Sequence, residues 1–220
     1  MTHDATSGRS ATDDLVRRLA REAGCSGSSR LSPAVAFPVI AIVAIPASLA
    51  VVLALVGLRP DLPAVLGSWI FLFKATAMLL LAGGGLFLVR AAATPGMAPK
   101  PALALAPAML FLLVSALAGR SGLPLLGARP PASAFICVGT IILASLPALT
   151  LVLIIMRRGI PTRLRRAGFF AGLLAGAIGA LAYTVACTND GAAFVALWYM
   201  VAVLIVAGIG AAAGPRSLAW

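Results

Sequence analysis

Apolar residues in this chain do not alternate with polar ones; they run together in long blocks. Uncharged stretches cover residues 31–58, 101–119, 130–156, 167–189 and 191–215, and another over 62–89 is interrupted only by Lys74. About 20 helical residues at about 1.5 Å each span the ~30 Å hydrocarbon core of a bilayer, so each block is long enough for one crossing. Transmembrane strands would show short alternating segments instead. The pattern predicts an all-α membrane protein: a bundle of six transmembrane helices over residues 34–220, led by a polar segment over 1–33 with no apolar stretch of the signal-peptide kind.

Inside that polar segment the period changes. In "TDDLVRRLAREA", residues 12–23, Leu15, Val16, Leu19, Ala20 and Ala23 recur at helical spacing, which predicts a short amphipathic helix. Asp13 and Asp14 fall in its first turn, where carboxylates suit the positive end of the helix dipole, and each has an arginine four residues on. Twelve residues are marginal as an isolated helix in water, so this segment is expected to order on a partner. The bland alternative is a solvated leader.

Composition sharpens the membrane reading. The 220 residues are 61% hydrophobic and 10% charged, with a mean hydropathy of +1.07, whereas soluble domains carry about 25% charged residues. The net charge of +11 reads as topology signal and anionic-lipid contact rather than nucleic-acid binding. With six crossings, Arg9, Arg17, Arg18, Arg21, Arg30, Arg90, Lys100, Arg157, Arg158, Arg163, Arg165, Arg166 and Arg216 share the side of both termini; only Arg59, Arg120 and Arg129 fall opposite. The termini are therefore expected in the cytoplasm.

Three cysteines occur. Cys25 lies in the polar segment and reads as an incidental thiol. Cys137 opens the fourth expected span and Cys187 closes the fifth, each 25 residues from Thr162 in the intervening loop. Equal arms of an antiparallel hairpin put both sulfurs at one depth, near the outer face. On the fifth span Gly168, Gly172, Gly176, Gly179, Tyr183 and Cys187 recur at intervals of three or four and occupy one small-residue face, suited to close helix approach. Such a pair reads as a structural disulfide or as thiols sensitive to oxidants or soft metals, against the plainer reading of inert packing residues.

Other chemistry is sparse. No CxxC pair, phosphate loop or nucleophile motif occurs, and the single histidine, His3, is in the polar segment. No enzyme activity and no resident cofactor are expected. A small polytopic transporter is the main alternative, but Lys74 is the only charged residue inside a span, and it is expected to snorkel outwards, with an interhelical polar contact as the next reading. Trp198 and Tyr199 suit an interface or helix packing.

The blocks "TDDLVRRLA", "GLRPDL", "FLFKATAMLLLAGGGLFLVRAAATPG", Cys137, "RRGIPTRLRRAGFFAGLLAGAIGALAYTVAC" and "ALWYMVAVLIVAGIGA" run the length of the chain. In these the chain resembles the NrsF-type membrane anti-sigma factors. The resemblance implies six helices in a bacterial inner membrane and a cytoplasmic N-terminal segment that holds an extracytoplasmic-function sigma factor. It further implies that Cys137 and Cys187 respond at the outer side to heavy-metal or oxidative stress. The tail contacts would then be Asp13, Asp14, Leu15, Val16 and Leu19, with transient soft-metal capture at the two cysteines.

Overall fold

A computed structural model describes residues 12–19, 33–94, 97, 100–118, 132–157, 159 and 161–219. The chain divides into two units, Met1–Ser32 and Pro33–Trp220. In the first, residues 12–19 form helix α1, with Leu15, Val16 and Leu19 all exposed. Cys25 lies outside the described residues.

The second unit is helical, with no strand among the described residues. Its elements are α2 (Pro33–Leu55), a single turn α3 (Leu62–Val65), α4 (Trp69–Ala93), α5 (Pro101–Ala118), α6 (Ala132–Met156), α7 (Leu164–Tyr183), α8 (Ala192–Phe194) and α9 (Met200–Ser217). A π-helical turn over Val195–Tyr199 joins α8 to α9. Among the described residues, five helices are long and apolar enough to cross a membrane: those over Val35–Leu55, Trp69–Ala93, Ser133–Met156, Leu164–Tyr183 and Ala192–Ser217. The expected sixth, α5, belongs with the shorter apolar helices. Its 18 residues reach about 27 Å, just under the ~30 Å hydrocarbon core.

Helix α7 is the axis of the bundle. Every residue from Ala167 to Tyr183 except Phe169 and Leu181 is buried, with α9, α4, α6 and α2 packed around it. Small side chains make this possible. Gly168 faces Gly210 and Gly214, Gly172 faces Val206 and Ala207, and Gly176 faces Val203, so a methyl group at any of the three would meet the α9 backbone. In lipid, where apolar surface gains little by leaving hydrocarbon, such close backbone approach supplies much of the packing energy. Gly179 points elsewhere, at Ser145 and Ile141 of α6. The four glycines therefore serve two interfaces, three of them on α9 rather than on the hairpin partner α6.

The contact between Gly179 and Ser145 fixes the hairpin register. Each stands 17 residues from Thr162. Two turns further along, the same register sets Cys137 beside Cys187.

Candidate functional site

The thiols meet at the end of the bundle where α2 and α7 finish and α4, α6 and α8 begin. Cys137 is on the first turns of α6; Cys187 lies just past α7, in a turn whose N–H groups from Ala186 and Cys187 both donate to the Tyr183 carbonyl. Both are free thiols, each 1% exposed, and the two side chains interact directly. Tyr183 and Tyr199 cover them, with ring centroids 6.1 Å apart. The Tyr199 hydroxyl is buried without a hydrogen-bond partner among the described residues and faces the Cys187 sulfur. The Cys187 thiol also donates weakly to the Asn189 carbonyl at 3.7 Å, and the Asn189 amide reaches Ser133 Oγ of α6 at 3.3 Å.

Above the thiols sits a buried ion-pair network. The Arg59 guanidinium donates from Nε and Nη2 to both oxygens of Asp61, each at 2.8 Å. It donates from Nη1 and Nη2 to both oxygens of Asp190, each at 3.1 Å, and from Nη1 to the Cys187 carbonyl at 3.0 Å. A guanidinium has five N–H donors in a fixed fork; here all five find an acceptor. Lys74 Nζ adds a bond to Asp190 Oδ1 at 2.9 Å and a long one to the same Cys187 carbonyl at 3.5 Å. Two cations thus meet two carboxylates, and the cluster is neutral. Arg59 and Lys74 are almost wholly enclosed, while the Asp61 and Asp190 side chains are 53% and 39% exposed.

The electrostatics follow. Hydrogen bonds to Asp61, then to Asp190, push the Arg59 guanidinium further above its ordinary value. Burial works to raise the Asp190 carboxyl, but the bonds from Arg59 and Lys74 outweigh it and hold it below the usual carboxylate range. The Cys187 thiol is lowered, first by its hydrogen bond with Cys137, against burial, and then by the charge of Lys74.

Local sequence explains the geometry. The N–H groups of Val56 and Gly57 both reach back to the Val52 carbonyl, and Gly57 has φ +80°. That left-handed residue ends α2 as glycine commonly ends helices, and it turns the chain so that Arg59 points inward. The Arg59 N–H then bonds the Val185 carbonyl at 3.2 Å. Ser68 caps α4 by accepting from the Phe71 N–H, which starts the helix that delivers Lys74. Between α8 and α9, the π turn adds a residue to the helical turn. It seats Tyr199 wholly inside while Trp198 stays partly exposed against Phe135 and Phe194.

Lys74 corrects the expectation of outward snorkelling: it is 1% exposed, because Asp190 and the Cys187 carbonyl give it partners inside. Arg59 and Asp190 went unread as site residues, since hydropathy treats both as loop positions between spans. One signal did exist. After Glu22 the chain has only two acidic residues, Asp61 and Asp190, and both converge on Arg59. The expected partner-binding residues Asp13, Asp14, Leu15, Val16 and Leu19 all lie exposed on α1, in the separate first unit. Among the described residues no group of three or more His, Cys, Asp or Glu could hold a metal ion; the two sulfurs are ligands of the kind that soft metals prefer. A cleft of about 290 Å³ beside the cluster is lined by Arg59, Ser133, Ile136, Tyr183, Ala186 and Asn189, among others.

Fold and site together define a polytopic helical membrane protein built around a thiol pair and a neutral ion cluster. Its sequence matches the family model described as "Negative regulator of sigma F", NrsF, over residues 19–220, and the chain belongs to that family. It is 34% identical over 221 residues to the probable anti-sigma-F factor NrsF of Azospira oryzae, covering 95% of this chain and 99% of that protein. It is 32% identical over 218 residues to the anti-sigma-F factor NrsF of Caulobacter vibrioides, again covering 95% and 99%. No solved structure matches. The family's description is that of a regulator.

Proposed function

We propose that this chain is an inner-membrane anti-sigma factor that holds an extracytoplasmic-function sigma factor through residues 1–33 and lets it go when Cys137 and Cys187 react. Six crossings, with α5 as the third, put both termini in the cytoplasm and the thiols at the outer side. The exposed arginines of the opposite end, Arg157, Arg163, Arg165, Arg166 and Arg216, support that orientation. So does the match to relatives whose names describe anti-sigma-F factors. Leu15, Val16 and Leu19 supply apolar surface on α1 for the partner, and Asp13 and Asp14 meet basic residues on it.

The observation that carries this reading is the contact of two free, buried thiols. Two reactions suit them. A peroxide takes the Cys187 thiolate as nucleophile and leaves as hydroxide, giving a sulfenic acid; Cys137 then displaces water and closes a disulfide. A soft cation instead replaces both thiol protons and bridges the sulfurs. Either product has a geometry the resting pair does not share. Moving a two-state equilibrium from 99:1 to 1:99 takes about 5.5 kcal/mol, a scale that a covalent bond or two metal–thiolate bonds reach and one polar contact does not.

In cells carrying Cys137→Ser with Cys187→Ser, the sigma-dependent promoter should stay silent on cadmium or peroxide exposure while the sigma factor still co-purifies. Normal induction in that strain would remove the thiols from sensing. Leu15→Asp with Leu19→Asp should abolish co-purification; retention of the sigma factor would remove α1 from the interface.

A further inference from the structure

We infer that Arg59 is a positioning residue, a clamp that ties the end of α2 to the backbone of Cys187 and so couples the thiol pair to the helix that continues from the N-terminal segment. The inference rests on the reading of the pair as a sensor and supplies its mechanical link. Arg59 stands four residues past the end of α2, and its N–H groups tie two pieces of chain together: Asp61 in its own loop and, in the segment between α7 and α8, both Asp190 and the carbonyl of Cys187. Its own backbone N–H bonds Val185. Lys74 binds the same carbonyl and the same Asp190 from α4. The acceptor is thus part of the residue whose sulfur reacts. Turning Cys187 to form a disulfide or grip a metal displaces an oxygen that two cations hold.

Of α2, α4 and α7, the helices that meet at the cluster, α2 depends most on such a clamp. Only 17% of its most apolar window is buried, and the buried positions along the described helix form one stripe, Ala36, Phe37, Ala44, Ser48 and Val52. Within that stripe the Ser48 hydroxyl is buried and without a hydrogen-bond partner among the described residues, so the seat is imperfect. Freed at the Arg59 end, α2 can shift against α6 and α7, on which it packs. The clamp needs a planar fork that reaches two carboxylates and a carbonyl at once, which an ammonium cannot match.

The experiment uses the full chain with its sigma factor in native membranes. Arg59→Lys and Asp190→Asn should each raise uninduced sigma-dependent transcription and the rate of Cys187 alkylation by a small maleimide, by about tenfold. Combining Arg59→Gln with Asp190→Asn should add little to either change alone, because all remove one device. Arg59→Lys placed in the Cys137→Ser, Cys187→Ser background should still release the sigma factor, since the clamp acts downstream of the thiols. Met156→Ala, a loss of core packing at the opposite end of α6 from Cys137, should leave uninduced repression intact. Repression and alkylation at wild-type levels in both Arg59→Lys and Asp190→Asn would overturn the clamp, as would equal derepression by Met156→Ala. Normal induction in the double serine strain, with Arg59→Lys still derepressed, would instead sink the sensor reading and leave the clamp standing.

Discussion

Helices α2 and α7 invert the rule that governs soluble proteins. The first has a mean hydropathy of 2.6 over its most apolar window and is only 17% buried there; the second has 1.4 and is 83% buried. In water the more apolar helix would be the core. In a bilayer the solvent is itself apolar, so oily side chains gain nothing by going inside, and backbone proximity decides who sits at the centre. Helix α7 is central because Gly168, Gly172 and Gly176 let α9 touch its backbone. Helix α2 faces lipid with Ile42, Val43 and Leu53 and is held by a narrow stripe and by the loop after it.

The contrast breaks most violently at the α7–α9 contact. Gly172→Leu drives a side chain into the Val206 and Ala207 backbone and should destabilise the bundle by about 3 kcal/mol or more. A small-to-large change on the exposed face of α2, Ala50→Leu, should cost nearly nothing. Thermal unfolding in detergent checks both, and equal losses would show that burial of α7 is not glycine-determined. Next in size is Arg59→Met, which strands two carboxylates beside Lys74. Breaking a buried pair costs about 3–5 kcal/mol, and the exposure of both aspartates reduces this to about 2 kcal/mol by solvent screening. A melt indistinguishable from wild type would refute the role of the loop in seating α2.

Acid should then sharpen the same point. The Asp190 carboxyl is held below its ordinary value in the folded state, so its stabilisation is complete above the unfolded value of about 3.9. It is lost as pH falls through the depressed folded value. Asp190→Asn should therefore be less stable than wild type at neutral pH, and the gap should close under strong acid. A gap independent of pH would mean that Asp190 acts by shape, not charge. The smallest effect belongs to Ser48→Ala. Removing a buried, unpartnered hydroxyl should seat α2 better by up to about 1 kcal/mol, visible as a higher melting temperature in detergent. Destabilisation would mean the hydroxyl has a partner in the membrane.

Much of this was legible from spacing. The equal arms around Thr162 set Cys137 opposite Cys187 because an antiparallel hairpin has only one register once its loop is short. The period over residues 12–23 predicts a helix, and the structure describes helix over residues 12–19. What escaped was every decision made between segments distant in sequence. Lys74 was read as a lone charge, since nothing local shows that a residue 116 positions later supplies its counter-ion. The glycines of α7 were assigned to one face, yet Gly179 serves α6 and the other three serve α9. Helical spacing gives an angle about an axis but not the neighbour that fills it. The π turn at Val195–Tyr199 left no mark in composition either.

The sequence by itself determined that this is a helical membrane protein with a polar leader, a basic end and a thiol hairpin. Those properties come from hydrophobic block length, charge placement and chain connectivity, all of which are local or additive. Tertiary structure alone decided that α7 is the axis and that Arg59, Lys74, Asp61 and Asp190 close into one neutral cluster on the Cys187 carbonyl. A buried charge is tolerable only beside its partner, and which partner arrives is settled by how the helices pack.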